Sequence, residues 1–186
     1  IDDDATDIGD NHQYSSFHGT HVAGIIGAVT DNGVGVAGLA GGSGPDNGVK
    51  IMPLRVLGFG GGGTTVDIAE AIKYAAGRVN ASGKIPNPPA DIINLSLGAR
   101  GEDYIDKELH QAVKDASDAG VILVAAAGNF GTEEPVYPAA FPEVISVSAV
   151  DITGSLALYS SRGDTIDLAA PGGSFPYDLN LDGIGD

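Results

Sequence analysis

The sequence predicts an α/β sandwich built around a parallel sheet, on three observations. Strand-like apolar runs alternate with segments of helical period and helical length. One of the runs, residues 121–127, is continuously apolar, the mark of a strand covered on both faces. The motifs that can carry chemistry fall at the ends of such runs or beside them, where ligands of open α/β sheets sit.

In chain order, residues 1–17 are acidic and turn-rich, show no period and read as a loop. From His18 to Ala28 the chain turns helical with small and apolar residues all round. Such a helix is expected to be buried, with its first histidine at the edge of a cleft. Residues 30–36 form a tight loop, and 49–56 read as a strand holding Pro53, hence near an edge or a bulge. A run of four glycines, Gly60, Gly61, Gly62 and Gly63, precedes a helix capped by Thr64 or Thr65. That helix is predicted to run through Asn80, with Ile68, Ile72, Ala75, Ala76 and Val79 on one face. Residues 82–90, with three prolines, form a surface loop. Then come a strand at 91–97, an amphipathic helix at 103–119 closed by Gly120, and strands at 121–127, 144–150 and 166–169.

Composition narrows the function. With 186 residues and 42% apolar content the chain suits one domain with a sizeable core. No apolar run is long enough to span a bilayer. Twenty-five acidic against nine basic residues give a net charge of −16. That charge repels phosphate backbones and anionic lipids and argues against nucleic-acid or membrane partners. Solubility is the plain role of such charge, with calcium binding or salt adaptation as the specific alternatives. The 29 glycines are scattered over strand ends and loops and mark tight turns. The absence of cysteine excludes a disulfide scaffold and a cysteine nucleophile.

Three ordered motifs carry the chemistry: His18-Gly19-Thr20-His21-Val22-Ala23-Gly24, Asn94-Leu95-Ser96-Leu97-Gly98 and Ala125-Ala126-Ala127-Gly128-Asn129. A histidine titrates near neutrality and suits proton transfer. An asparagine just past a strand can aim its amide into a cleft, or simply make a turn after Gly128. A zinc reading of His12, His18 and His21 lacks the H-E-x-x-H pattern. A phosphate-cradling reading of the glycine run lacks a following Lys-Ser/Thr. Ser96, at a strand end, lacks the strained elbow of a nucleophile.

Together the motifs resemble the subtilisin-like serine proteases, the subtilases, from about His18 to Gly172. The resemblance implies a three-layer, subtilisin-like sandwich, here incomplete, with a core at 18–172 and an acidic tail at 173–186. His18 would be the general base and acid, with His21 a structural neighbour, and Asn129 would donate to the oxyanion. Ser96, Leu97 and Gly98 would pair with the substrate backbone on one side, and Gly61, Gly62 and Gly63 would flank it on the other. Ala126, Ala127 and Gly128 would line the primary specificity pocket.

The resemblance also implies calcium as a structural cofactor. Asn32 would give a side-chain oxygen, and Thr30, Val34 and Val36 their carbonyls. The carbonyls of Ala139, Phe141 and Val144 are a weaker candidate. The tail offers Asp178, Asn180, Asp182 and Asp186 around Gly183, which match the first half of an EF-hand-type loop or make a solvated turn. Polypeptide substrates, protease inhibitors or a pro-segment, secretion and a monomeric state when complete follow from the same resemblance.

One part of the family pattern is missing. Asp2, Asp3 and Asp4 neither follow an apolar strand nor precede Ser/Thr-Gly, and no Gly-Thr-Ser-Met-Ala helix occurs. The chain is therefore expected to be a fragment of a larger protease, inactive by itself. The alternatives are a non-catalytic peptide-binding module and a calcium-binding module.

Overall fold

The computed structural model describes residues 16–44, 46–101 and 105–173. They fall into two compact units, Ile1–Thr64 and Thr65–Asp186. The expectations for residues 1–15 and for the tail ligands Asp178, Asn180, Asp182 and Asp186 lie outside the described residues.

In the first unit, α1 spans His18–Gly27. It starts on Phe17, held in the left-handed region at φ 54°, whose own side chain makes no cap. The chain leaves the helix at Ala28, which is extended and donates back to the Gly24 carbonyl at 3.0 Å. The expectation of a buried helix fails, because none of its residues is buried. Its small side is approached closely: a Cβ at Gly27 would meet Val49 and Ile51, and one at Gly24 would just touch Val36. The expected strand at 49–56 fails too. Val49 donates to Ala40 at 2.9 Å, but the stretch has no ladder partner among the described residues, and a strand exists only when paired. A short 3₁₀ turn, Phe59–Gly61, completes the unit.

In the second unit, α2 spans Thr65–Ala75 and α3 spans Lys107–Asp118. Asp106 caps α3, accepting from the Glu108 and Leu109 N–H groups at 2.8 and 2.9 Å. The predicted start at 103 lies outside the described residues, and the helix begins after this cap. Thr65 at the head of α2 donates its hydroxyl to the same carboxylate at 2.9 Å, so one side chain ties both helix starts together.

Both helices close the same way. Gly77 and Gly120, at φ 68° and 87°, reverse the chain while two N–H groups donate to the last-turn carbonyls, Gly77 to Tyr74 with Arg78 to Lys73, and Gly120 to Ser117 with Val121 to Ala116. This ends α2 five residues before the predicted Asn80 and leaves Val79 87% exposed and off the helix face. Asn80 then organises the following turn, donating to the Arg78 and Lys84 carbonyls at 2.9 and 2.8 Å.

The sheet carries β1 (Ile92–Leu95), β3 (Ile122–Ala126), β5 (Val144–Val150) and β6 (Leu168–Pro171), in that order and all parallel. A small antiparallel pair joins β2 (Ala99–Arg100) to β4 (Val136–Tyr137). The predicted α/β class with a mostly parallel sheet is the one observed. Three strands differ from their expected ranges: β1 and β3 are shorter than 91–97 and 121–127, and β6 lies two residues beyond 166–169.

One sheet face packs on the helices. α3 lies on β3 and α2 along α3, with Leu123 and Ala125 buried beside Ala112, Val113 and Ala116. The other face of β3 is open among the described residues. Ile122 is 50% exposed and Ala126 is exposed, so the continuous apolar run does not mean cover on both sides here. Behind α3, the His110 ring stacks on Phe141 at 4.2 Å, and its Nε2 lies 3.0 Å from Glu143.

Candidate functional site

Parallel register is what assembles the site. Ile92 pairs with Ile122 and Leu95 with Ala125, so β1 and β3 run side by side and end together. Two of the sequence motifs leave the sheet from that shared carboxyl edge: Ser96, Leu97 and Gly98 after β1, and Ala127, Gly128 and Asn129 after β3. This is where open parallel sheets bind ligands. Ser96 accepts a hydrogen bond from the Asn94 amide at 3.0 Å, which turns its hydroxyl to a structural task.

Asn129 is exposed, and its side chain makes no bond among the described residues. It thus presents a free amide donor beyond the strand end. The chain on either side of it is tightly held. Ser161 donates its N–H to the Gly128 carbonyl at 2.9 Å, and the Phe130 N–H reaches Ser161 Oγ at 3.4 Å.

Gly98 and Gly128 share a neighbour that sequence reasoning missed, Val136 of β4. A Cβ on Gly98 would stand 2.8 Å from one Val136 methyl, and a Cβ on Gly128 2.9 Å from the other. The two glycines therefore face each other across this side chain, which is 3% exposed. The signal in the sequence was a valine two residues before Pro138, in a stretch with no strand period long enough to read. Ala126 is exposed on the sheet face and Ala127 is buried, its N–H given to Val147 at 2.9 Å. Arg100 of β2 lies over the Phe130 ring at 4.8 Å and 3.7 Å from Glu134. Arg162 donates to the Gly131 carbonyl at 2.7 Å.

In the first unit, His18 heads α1 and is exposed, with its N–H on Ser16 Oγ at 3.4 Å. Its neighbour one turn on, His21, lines a hollow of about 250 Å³ with Thr20, Gly24, Ile25, Val36 and Leu39. The glycine run closes as a turn: Gly58 donates to Gly62 at 2.8 Å and Gly61 back to Gly58 at 3.1 Å. Gly63 sits so close to the Val56 carbonyl that a Cβ would stand 2.4 Å from it.

The loop carrying Thr30, Asn32, Val34 and Val36 alternates through the left-handed region at Asp31, Gly33 and Gly35, with φ of 58°, 68° and 63°. It curls around a hollow of about 170 Å³ lined by its own residues. Asn32 Oδ1 accepts the Val34 N–H at 3.0 Å, while the Val34 and Val36 carbonyls accept nothing among the described residues. The donor set is oxygen throughout, which fits a hard cation such as calcium. Among the described residues, no three His, Cys, Asp or Glu side chains gather as metal ligands. The weaker candidate at Ala139, Phe141 and Val144 is partly engaged, since Phe141 already accepts the Val144 N–H at 3.0 Å.

Comparison with known proteins follows the same lines. The model of the subtilase family matches residues 1–184. An extracellular protease from Xanthomonas campestris pv. campestris is 41% identical over 167 residues, covering 89% of this chain and 27% of its own. Thermitase from Thermoactinomyces vulgaris is 38% identical over 172 residues, covering 92% of this chain and 53% of its own. Among solved structures, a protease from Pseudoalteromonas arctica superposes with a TM-score of 0.79 at 41% identity, over 89% of this chain and 46% of that one. The chain thus spans between about a fifth and a half of the length of the relatives it matches.

Proposed function

We propose that this chain, which belongs to the subtilase family, is part of a secreted serine endopeptidase that cleaves polypeptides through an acyl-enzyme. One observation carries the reading: two of the motifs leave adjacent parallel strands at one edge, with the Asn129 amide exposed beyond them. His18 takes the proton of a serine supplied from outside these 186 residues and returns it to the leaving amine. The Asn129 amide donates to the oxygen that becomes negative as the tetrahedral intermediate forms. Ser96, Leu97 and Gly98 bond the substrate main chain as an added strand, and Val136 floors the pocket between Gly98 and Gly128. Secretion is supported by relatives named as extracellular. No helix among the described residues is long and apolar enough to cross a membrane.

The test is peptide hydrolysis by the full-length polypeptide. Purified protein should cleave casein and lose that activity with His18→Ala. Undiminished turnover in that variant would refute the assignment.

Calcium belongs to the same proposal, held by the Asn32 side chain and the carbonyls of Thr30, Val34 and Val36. Bound there, it stabilises the native state by mass action. Asn32→Ala should therefore lower the Tm of the full-length protein in calcium and leave it almost unchanged in chelator. Equal losses in both conditions would make Asn32 a turn residue only.

A further inference from the structure

We propose that Ser161 is a positioning residue for Asn129, an inference that rests on the reading of Asn129 as the oxyanion donor. An oxyanion donor works by being in place before charge develops. The exposed Asn129 side chain has nothing of its own to hold it, so its placement must come from the main chain on either side. Ser161 holds both sides: its N–H grips the Gly128 carbonyl at 2.9 Å and its Oγ receives the Phe130 N–H at 3.4 Å. At 2% exposure its hydroxyl is out of reach of a substrate, so it is no nucleophile.

The segment around Ser161 extends the grip. Gly131 donates to the Tyr159 carbonyl at 2.9 Å and Arg162 to the Thr132 carbonyl at 3.0 Å, while the Arg162 side chain takes the Gly131 carbonyl at 2.7 Å. Residues 159–162 thus run as a rail along 128–132. There is no slack beside Gly128, where an added Cβ would stand 3.1 Å from Ser161 Oγ. Ser161→Ala keeps the backbone bond to Gly128 and removes the one to Phe130, leaving the far side of Asn129 loose.

The experiment is a double-mutant cycle in the full-length protein, read as kcat and KM on a peptide p-nitroanilide, with Tm measured on each variant. Ser161→Ala should lower kcat about tenfold with little change in KM, less than the loss from removing a donor outright. Combined with Asn129→Ala it should cost nothing more, because there is no donor left to position. Ser161→Thr, which keeps the hydroxyl, should recover most of the kcat. Equal losses from Ser161→Ala with and without Asn129 would overturn the proposal while sparing the donor. No effect from Asn129→Ala itself would overturn the donor reading and the proposal with it. If Ser161→Ala fails to fold, Arg162→Met, at a side chain 48% exposed, carries the same cycle. It should cost about threefold in kcat, again only when Asn129 is present, and an equal loss in both backgrounds overturns the proposal.

Discussion

The two units hold their functional residues by different means. In the second, position comes from the sheet: the register of β1 on β3 fixes where Gly98 and Asn129 emerge, and the buried face of α3 braces β3 from behind. In the first, α1 buries none of its residues, and position comes from main chain pressed on main chain. A Cβ on Gly41 would stand 1.7 Å from the Ala28 carbonyl oxygen, and one on Gly38 2.3 Å from the Ala28 nitrogen. Gly38 donates to the Ala28 carbonyl at 2.9 Å, and Leu39 and Ala40 donate to Ile25 and Ile26 at 2.9 and 2.8 Å. Side-chain packing tolerates small changes of shape, whereas backbone contact at this distance tolerates none.

Substitutions that add one methyl group should expose that difference most. Gly41→Ala forces the Ala28 end of α1 away and should cost the full-length protein several kcal/mol, on the order of a strongly overpacked core site. The measurement is thermal or urea unfolding with soluble yield. A loss within about 0.5 kcal/mol, as for an ordinary surface change, would mean that the 37–49 segment is not the brace described.

The matching change in the second unit is subtractive. Val136→Ala should open the space between Gly98 and Gly128 at a stability cost of about 1–3 kcal/mol. In the full-length protein it should raise kcat/KM for peptides with a bulky residue before the scissile bond relative to those with alanine, by about 10-fold. An unchanged ratio would remove Val136 from the pocket.

A smaller effect tests how the second unit's helices are pinned. The Asp106 carboxylate is held below its ordinary pKa by the Leu109 N–H first, then by the Thr65 hydroxyl, with the Glu108 N–H adding to them and desolvation opposing. A depressed folded pKa means a contribution that is present above the unfolded aspartate range, near 3.9, and lost as pH falls through the folded value. Asp106→Ala should therefore cost about 1 kcal/mol at neutral pH, and the gap to wild type should close in acid. A gap independent of pH would assign the loss to packing.

The contrast also explains how much was legible in the sequence. The strand at 144–150 appeared where its period placed it, because a buried strand declares itself through alternation and pairing. The helix ends at Gly77 and Gly120 were less even. Gly120 marks a stop in the sequence, whereas at Gly77 the apolar period continues to Val79. The stop there is made by backbone bonds from Gly77 and Arg78, which no periodicity reports. The stretch 49–56 has β-forming residues, yet strand formation depends on a partner elsewhere in the chain.

At the candidate site, the motifs stand out in the sequence through residue type and order. Val136 and Ser161 do not, since Gly98 lies 38 positions before Val136 and Phe130 lies 31 before Ser161.

The central claim, that the chain past β3 presents an oxyanion donor in a serine endopeptidase, meets its most direct test in kcat of the full-length protein with Asn129→Ala. The account predicts a fall of about 10²–10³, the range known for losing such an asparagine in a subtilisin, with KM nearly unchanged and the fold intact by its Tm. A kcat within about twofold of wild type would contradict it.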